Sequence, residues 1–505
     1  MKKLYILIIL LCLSAHAQLP QEIKITGGKI SGVTNNDISI YKGIPFAAPP
    51  VGNLRWKAPQ PVKPWRGVRE CIAFGASPMQ GEPVPFSMWS QEFLIPKSPI
   101  SEDCLYLNVW SGTTAPTEKR PVLVWIYGGG FAGGGSGVPI YDGAALAQKG
   151  IVVVSFNYRV GLFGFMAHPE LSKESGHKAS GNYGLLDQVA ALKWVQQNIA
   201  AFGGDPANVT IAGQSAGGMS VTYLIGSPLA KGLFNKAIAQ SGSGFFREQP
   251  ALAEAEKQGA ELAEKLGAKN MADLRKLSSK QILDAQGGIR RPVIDGYVLP
   301  SGLAETFTAN KENPVTLLTG WNENEDLFWG EFKDAAGFTQ QIENEYKNNA
   351  QKLLTLYPAN NDVEAEQAQL DLSRDRQFGI PEYSLIKAQL QRGTAYVYRF
   401  THVVPATGEY LKYRASHTGE VPYTFNNLGT VDRPWADADY TLADTMSNYW
   451  VNFIKTGNPN GNRLTQWPAY TDKQSMIMEF DINPEAKPLP DKARLDFLQA
   501  MMEKE

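Results

Sequence analysis

The sequence predicts an α/β fold: a large, mostly parallel central sheet flanked by helices, in a single domain with insertions. Three observations lead there. Short β-branched runs recur along the chain and are apolar on both faces, as expected of strands buried in a parallel or mixed sheet. Helical patterns stand between them, and strands alternating with helices argue for this class. No Gly/Ser linker or long charge run cuts the 505 residues, so no internal domain boundary is placed.

In chain order, residues 22–40 read as β-like, with Gly and Asn at the turns. Residues 45–65 are proline-rich, which excludes regular helix. The buried-strand candidates are 122–127, 151–157, 209–213, 237–240, 316–319, 395–400 and 476–480. Helical patterns cover 185–200 and 251–266, with a shorter one at 218–225.

Composition narrows the function. The chain is 43% hydrophobic, 19% charged and 10% aromatic, which excludes a disordered protein. Its 48 glycines and 32 prolines follow no G-X-Y period, so a collagen is excluded. With 48 basic and 50 acidic residues and no basic stripe, no nucleic-acid partner is expected.

Residues 1–17 have the form of a signal peptide. Lys2 and Lys3 precede a ten-residue apolar run, and Ala15-His16-Ala17 supplies the small-x-small cleavage site. Cleavage removes two lysines and takes the net charge from −2 to −4. No later segment has eighteen uninterrupted apolar residues, so no membrane-spanning segment is expected in the mature chain. The expectation is export to the periplasm or the medium. Cys12 leaves with the leader, and the remaining Cys71 and Cys104 are candidates for one disulfide in an exported protein.

The sharpest chemical signal is Gly213-Gln214-Ser215-Ala216-Gly217 between a strand and a helix pattern. A nucleophile on so tight a turn sits in a strained backbone, which demands small neighbours. The helix N-terminus beneath it offers free N–H groups to a developing negative charge. Upstream, Gly128-Gly129-Gly130-Phe131 ends another strand, where backbone N–H groups can approach an oxyanion. No P-loop Lys-Ser/Thr follows it, so a phosphate loop is discounted.

A serine nucleophile needs a base, and His168, His177, His402 and His417 remain after the leader. His417, late and in a loop, is favoured; His402 at a strand end competes. The acid that orients the base lies among Glu323, Glu325 and Asp326, and chemistry alone does not choose between them.

Several ordered motifs then carry a resemblance. They are Tyr41-Lys42-Gly43-Ile44-Pro45-Phe46-Ala47, Glu102-Asp103-Cys104-Leu105-Tyr106-Leu107-Asn108 and Asn182-Tyr183-Gly184-Leu185-Leu186-Asp187-Gln188. Phe202-Gly203-Gly204-Asp205-Pro206 and Thr456-Gly457-Asn458-Pro459-Asn460 continue the series. With these, nearly the whole mature chain resembles the type-B carboxylesterase/lipase family, which has the α/β-hydrolase fold. The resemblance implies Ser215 as nucleophile, Glu325 as acid and His417 as base, with Gly129, Gly130 and Ala216 as oxyanion-hole donors. It implies that Ser241 is buried near the histidine and that Gln214 stands where cholinesterases have Glu. Arg55 with Glu102, and Arg159 with Asp187, match family salt bridges. Cys71 and Cys104 match the family's first disulfide, a closure worth roughly 3–4 kcal/mol by chain-entropy arguments. Phe131, Phe328 and Trp329 match gorge-lining aromatics in contact with substrate. Trp89 lies further from Cys104 than the choline-binding tryptophan of cholinesterases does.

The reading is an exported serine carboxylesterase acting on a small-molecule ester, with no metal and no cofactor. With Gln214 removing a carboxylate worth roughly 4 kcal/mol at 4 Å and an effective dielectric near 20, uncharged esters are preferred over choline esters. Two alternatives stand beside it. A non-catalytic adhesion homologue would have lost the serine or histidine. A lipase would show interfacial activation.

Overall fold

The computed structural model describes residues 22–247, 249–325 and 330–502. The leader, Asp326, Phe328 and Trp329 lie outside the described residues.

The frame is an eleven-stranded sheet. Its strands, in chain order, are β1 (Val33–Asn35), β2 (Ile38–Pro45), β3 (Tyr106–Ser111), β4 (Arg120–Ile126), β5 (Val152–Phe156) and β6 (Gly204–Gln214). They continue with β7 (Lys236–Gln240), β8 (Thr316–Asn322), β9 (Ala395–Phe400), β10 (Met476–Phe480) and β11 (Glu485–Pro488). The spatial order is β1-β2-β3-β5-β4-β6-β7-β8-β9-β10-β11. From β5 across to β10 every pairing is parallel; both margins are antiparallel. All seven strand runs expected from the sequence fall in this parallel block. Every residue of β5, β7 and β9 is buried. Helices cover both faces, so no polar alternation marks these strands.

Two helices matter for the site. Helix α1 (Tyr183–Asn198) packs beneath the sheet and ends in a short 3₁₀ turn, closed by Gly203 at φ 77. Helix α2 (Ala216–Gly226) starts directly at the end of β6 and is buried almost throughout. The helix therefore begins two residues before the 218–225 pattern, because the turn is tighter than local pattern reveals.

Buried ion pairs fasten the long loops. Arg55 grips Glu102 through two bonds, Nε to Oε2 at 2.7 Å and Nη2 to Oε1 at 2.5 Å. Arg159 grips Asp187 in the same bidentate way, at 2.8 and 2.7 Å. Such forks are among the stronger charge-assisted bonds, and removing one partner strands a buried charge. A third cluster joins Arg374, Arg399 and Arg494 to Glu323, Asp371, Asp375 and Asp491. Arg374 also donates to the Glu323 carbonyl at 3.2 Å, fixing the loop after β8.

The Cys71–Cys104 bridge expected from the sequence is not formed: both residues are buried free thiols. Their surroundings differ. Cys71 lies near Tyr41 and Arg69, and Cys104 near Asp187 and Arg159. Burial pushes the Cys71 thiol up to about 11 and raises Cys104 well above the usual thiol range, which keeps both protonated and poorly nucleophilic.

Candidate active site

Four loops meet at the carboxyl ends of the parallel strands, where open α/β sheets bind ligands. They follow β4, β6, β8 and β9.

The loop after β6 is the sharp turn. Ser215 has φ 59 and ψ −126, a conformation that residues with side chains rarely adopt. It is held there from both sides. Its N–H donates to the Gln240 carbonyl at 2.9 Å, and its carbonyl accepts from Met219 N–H at 2.9 Å. A β-carbon on Gly217 would lie 2.0 Å from the Ile126 carbonyl oxygen, so only glycine lets α2 start against β4. The positive end of α2 therefore sits at Ser215.

The loop after β4 lies against this turn. A β-carbon on Gly128 would come within 2.7 Å of the Gln214 carbonyl and 3.0 Å of Ser215 Cβ, so the close approach depends on glycine there. The Gln80 side chain clamps the far end, exchanging two 2.8 Å bonds with the Gly134 backbone. Among the described residues, the N–H groups of Gly129, Gly130 and Ala216 donate to no other group of the fold. They are three free donors on the two loops that meet at Ser215.

The loops after β8 and β9 are laced together. Asn324 N–H donates to the Ala415 carbonyl at 3.0 Å, and Asn322 Nδ2 donates to the Ser416 carbonyl at 2.7 Å. This brings Glu325 to His417, with Oε2 2.5 Å from Nδ1. The other Glu325 oxygen accepts from Asn322 N–H at 2.8 Å. Glu325 is 0% exposed and His417 2% exposed. The His417 ring is wedged between Trp89, edge-on at 6.1 Å, and Phe378 at 4.9 Å.

The other sequence candidates are occupied elsewhere. Glu323 pairs with Arg374 at 3.2 Å and Arg399 at 2.9 Å. His402 is clamped between Asp439 at 2.8 Å and Asp481 at 3.3 Å. His168 caps the N-terminus of the helix Pro169–Glu174, and His177 stacks on Tyr297. Ser241, fully buried at φ 46, donates its N–H to the Gly320 carbonyl at 2.8 Å; no bond joins it to His417. Phe131 does not face the cavity as expected. Its ring is buried against Phe165 at 5.3 Å and Tyr223 at 6.3 Å, because the chain turns at this residue with φ 61 and swings the ring into the core.

Ser215, His417, Gln214 and the Gly128–Gly130 loop floor a cavity of about 560 Å³. Its walls are mostly apolar, with Val84, Phe86, Trp89, Phe93 and Ile95 from one segment. That volume and lining suit a small organic ligand. At the mouth stands the exposed Glu82.

Two further carboxyls lie beneath the site, and sequence reasoning missed both. Glu420 accepts from Gln240 Nε2 at 3.0 Å and Asn322 Nδ2 at 2.7 Å; burial pushes it up from its ordinary range. Glu382 contacts Gly242 N–H at 2.6 Å and Thr319 Oγ1 at 2.5 Å, and burial pushes it up to about 8. An acid inside the apolar helix Ile380–Leu390 was the available signal for Glu382. Phe378 left none.

A strained serine turn at the head of a buried parallel sheet, with acid and histidine loops from later strands, marks an α/β-hydrolase. Comparison gives the family. The chain belongs to the carboxylesterase family, whose model matches residues 19–498. It is 38% identical over 488 residues to the fumonisin B1 esterase of Sphingopyxis macrogoltabida, covering 92% of this chain and 88% of that protein. It is 37% identical to the para-nitrobenzyl esterase of Bacillus subtilis, covering 92% and 96%. A solved PNB esterase structure superposes with a TM-score of 0.81 at 33% identity, covering 94% of this chain and 99% of that one. The protein is a carboxylic-ester hydrolase.

Proposed function

We propose that this hydrolase works through an acyl-enzyme on Ser215, with His417 as general base and Glu325 as its orienting acid. The observation that carries the reading is the 2.5 Å contact between Glu325 and His417 beside a strained serine with three unused N–H donors. In this reading the Ser215 oxygen attacks the ester carbonyl and its proton passes to His417 Nε2. Gly129, Gly130 and Ala216 hold the oxyanion. His417 returns the proton to the leaving alcohol, and water then cleaves the acyl-enzyme by the same path. Glu325 keeps the ring oriented and stabilises its positive charge.

We further propose that the preferred esters are uncharged. The apolar walls favour apolar or aromatic groups, and Gln214 places no charge beside the nucleophile. Glu82 at the mouth is exposed, and an exposed charge contributes at most about 1 kcal/mol. Export after loss of residues 1–17 completes the proposal, supported by the form of the leader.

The test is labelling by a fluorophosphonate together with Ser215→Ala. Removing the nucleophile should lower kcat on the order of 10⁶-fold, leaving oxyanion-hole catalysis. Label on another serine would refute the assignment. Choice of ester is tested by kcat/KM for a choline ester and its neutral 3,3-dimethylbutyl isostere. A clear advantage for the cation would overturn the preference.

A further inference from the structure

A hydrogen bond at one corner does not fix the plane of an aromatic ring. Glu325 holds His417 at Nδ1, 2.5 Å away, and the direction of Nε2 depends on what packs against the ring. The Gln214 amide nitrogen lies 3.1 Å from Nε2 and 3.5 Å from Nδ1. Trp89 stands edge-on, with ring centroids 6.1 Å apart. Phe378 is nearer, at 4.9 Å and an interplanar angle of 41°, and is itself buried.

The placement of Phe378 starts from a proline. Helix Asp362–Arg374 runs into helix Ile380–Leu390 through a wider, π-helical turn at Asp375–Gly379, where Ile380 N–H donates to the Asp375 carbonyl five residues back. Pro381 has no N–H, so it cannot make the ordinary helical bond to the Gln377 carbonyl four residues before it. That carbonyl accepts instead from Arg247 Nη2, which comes from the loop after β7. The Arg247 guanidinium then lies 5.8 Å from the centroid of the Phe378 ring, within reach of a cation–π contact. Glu382 contacts Gly242 N–H at 2.6 Å, so the same loop is tied to this helix at a second point. The start of the turn is anchored by Asp375, fully buried and bonded by Arg374 at 2.8 Å and by the Tyr357 hydroxyl at 2.8 Å.

We propose that Phe378 is a positioning residue for His417, held in place by Arg247 through the Gln377 carbonyl. The proposal rests on the Ser215–His417–Glu325 reading above. In that reading Nε2 meets the Ser215 oxygen and then the leaving alcohol, so its direction matters at each step. A misplacement of about 1 Å at such a group costs on the order of 10²-fold in rate. The wide turn brings a flat, buried side chain against the imidazole. Arg247 supplies the donor that Pro381 lacks and contacts the Phe378 ring. Among the described residues, neither Phe378 nor Arg247 lines the cavity, so the effect falls on turnover rather than on substrate binding.

The test is kcat and KM for a neutral aryl ester, with urea midpoints measured alongside. Phe378→Ala empties the space beside the imidazole and should lower kcat on the order of 10²-fold at nearly unchanged KM. Phe378→Leu refills most of that volume and should leave kcat only about tenfold below wild type. Arg247→Met leaves the Gln377 carbonyl without its donor and should lower kcat by a smaller factor than Phe378→Ala; Arg247→Lys keeps a donor and should recover most of that loss. The deciding readout is the cycle with His417→Ala. Removing the base leaves a residual rate from the oxyanion hole and substrate binding, and in that background Phe378→Ala should cost nothing further. A loss of the same size in both backgrounds would show that Phe378 serves the fold or another group, and would overturn the proposal, as would wild-type kcat in Phe378→Ala. If Phe378→Ala does not fold, Phe378→Leu and Arg247→Met decide, and wild-type kcat in both overturns it. If Ser215→Ala retains the wild-type rate, the triad reading itself fails and takes this inference with it.

Discussion

Replacing Glu382 with Gln should stabilise the protein at neutral pH and leave it little changed in acid. The reason is a proton whose place the geometry dictates. Thr319 Oγ1 lies 2.8 Å from the Ala239 carbonyl oxygen and 2.5 Å from Glu382 Oε2. One hydroxyl hydrogen cannot serve both oxygens. If Thr319 donates to Ala239, Glu382 must donate to Thr319, and a protonated carboxyl does so while its other oxygen accepts from Gly242 N–H at 2.6 Å. Burial pushes Glu382 in the same direction, to about 8, with Glu325 adding to the shift. The unfolded chain has an ordinary glutamic acid. From about pH 4.5 to about pH 8 the folded state therefore holds a proton that the unfolded state has released, and stability falls as pH rises through that window. Below it both states are protonated, and above it the penalty is constant. Linkage puts the loss between pH 5 and pH 7 on the order of 2 kcal/mol. A glutamine side chain reproduces both hydrogen bonds and never titrates. Urea midpoints of wild type and Glu382→Gln at the two pH values, with equal slopes, read the difference directly. The variant should gain on the order of 2 kcal/mol relative to wild type between pH 5 and pH 7. A difference that does not change with pH would show that Glu382 is ionised in the fold and that the proton has been misplaced.

Three further outcomes are expected. Glu325→Gln should cut kcat by about 10⁴-fold, whereas Glu323→Gln should leave kcat near wild type and lower the unfolding midpoint, since Glu323 serves Arg374 and Arg399; comparable losses of kcat would mean the wrong acid was chosen. In protein beginning at Gln18, a thiol reagent should find no accessible cysteine in the native state and two after denaturation without reductant, because Cys71 and Cys104 are buried free thiols; failure to find them in denaturant would restore the bridge. Gly217→Ala should abolish the folded site rather than tune it, since its β-carbon meets the Ile126 oxygen at 2.0 Å; circular dichroism and labelling of Ser215 would both be lost, and an intact, labelled variant would contradict the packing.

Much of the fold was legible because burial on both faces writes itself into the sequence. Strands β5, β7 and β9 are buried throughout and mostly apolar in sequence. The serine turn was legible for a related reason: its glycines answer to backbone contacts within a few residues of Ser215. The histidine and the acid were not legible locally. Late position in a loop favoured His417 over His402 without deciding between them, and three neighbouring carboxyls had equal chemical claims until their partners were known. Those partners come from far along the chain: Asp439 and Asp481 for His402, and Arg374 and Arg399 for Glu323. Trp89 and Phe378 both precede His417, at very different separations along the chain, and no spacing rule links them to it.

The choice of acid is thus a competition for donors, settled by tertiary placement. Each carboxyl near the site is answered by a different set of groups. Glu323 meets two guanidinium groups and is spent in an ion network. Glu420 meets two side-chain amides, and Glu382 a backbone N–H and a threonine hydroxyl; burial raises both. A carboxyl kept neutral cannot stabilise an imidazolium, and one paired to arginine has little charge left to offer. Among the described carboxyls, Glu325 alone faces the His417 ring, and its second oxygen is satisfied by Asn322 N–H. Glu382, pushed up to about 8 by burial, therefore adds no charge of its own near Glu325 at neutral pH, and burial pushes Glu420 in the same direction.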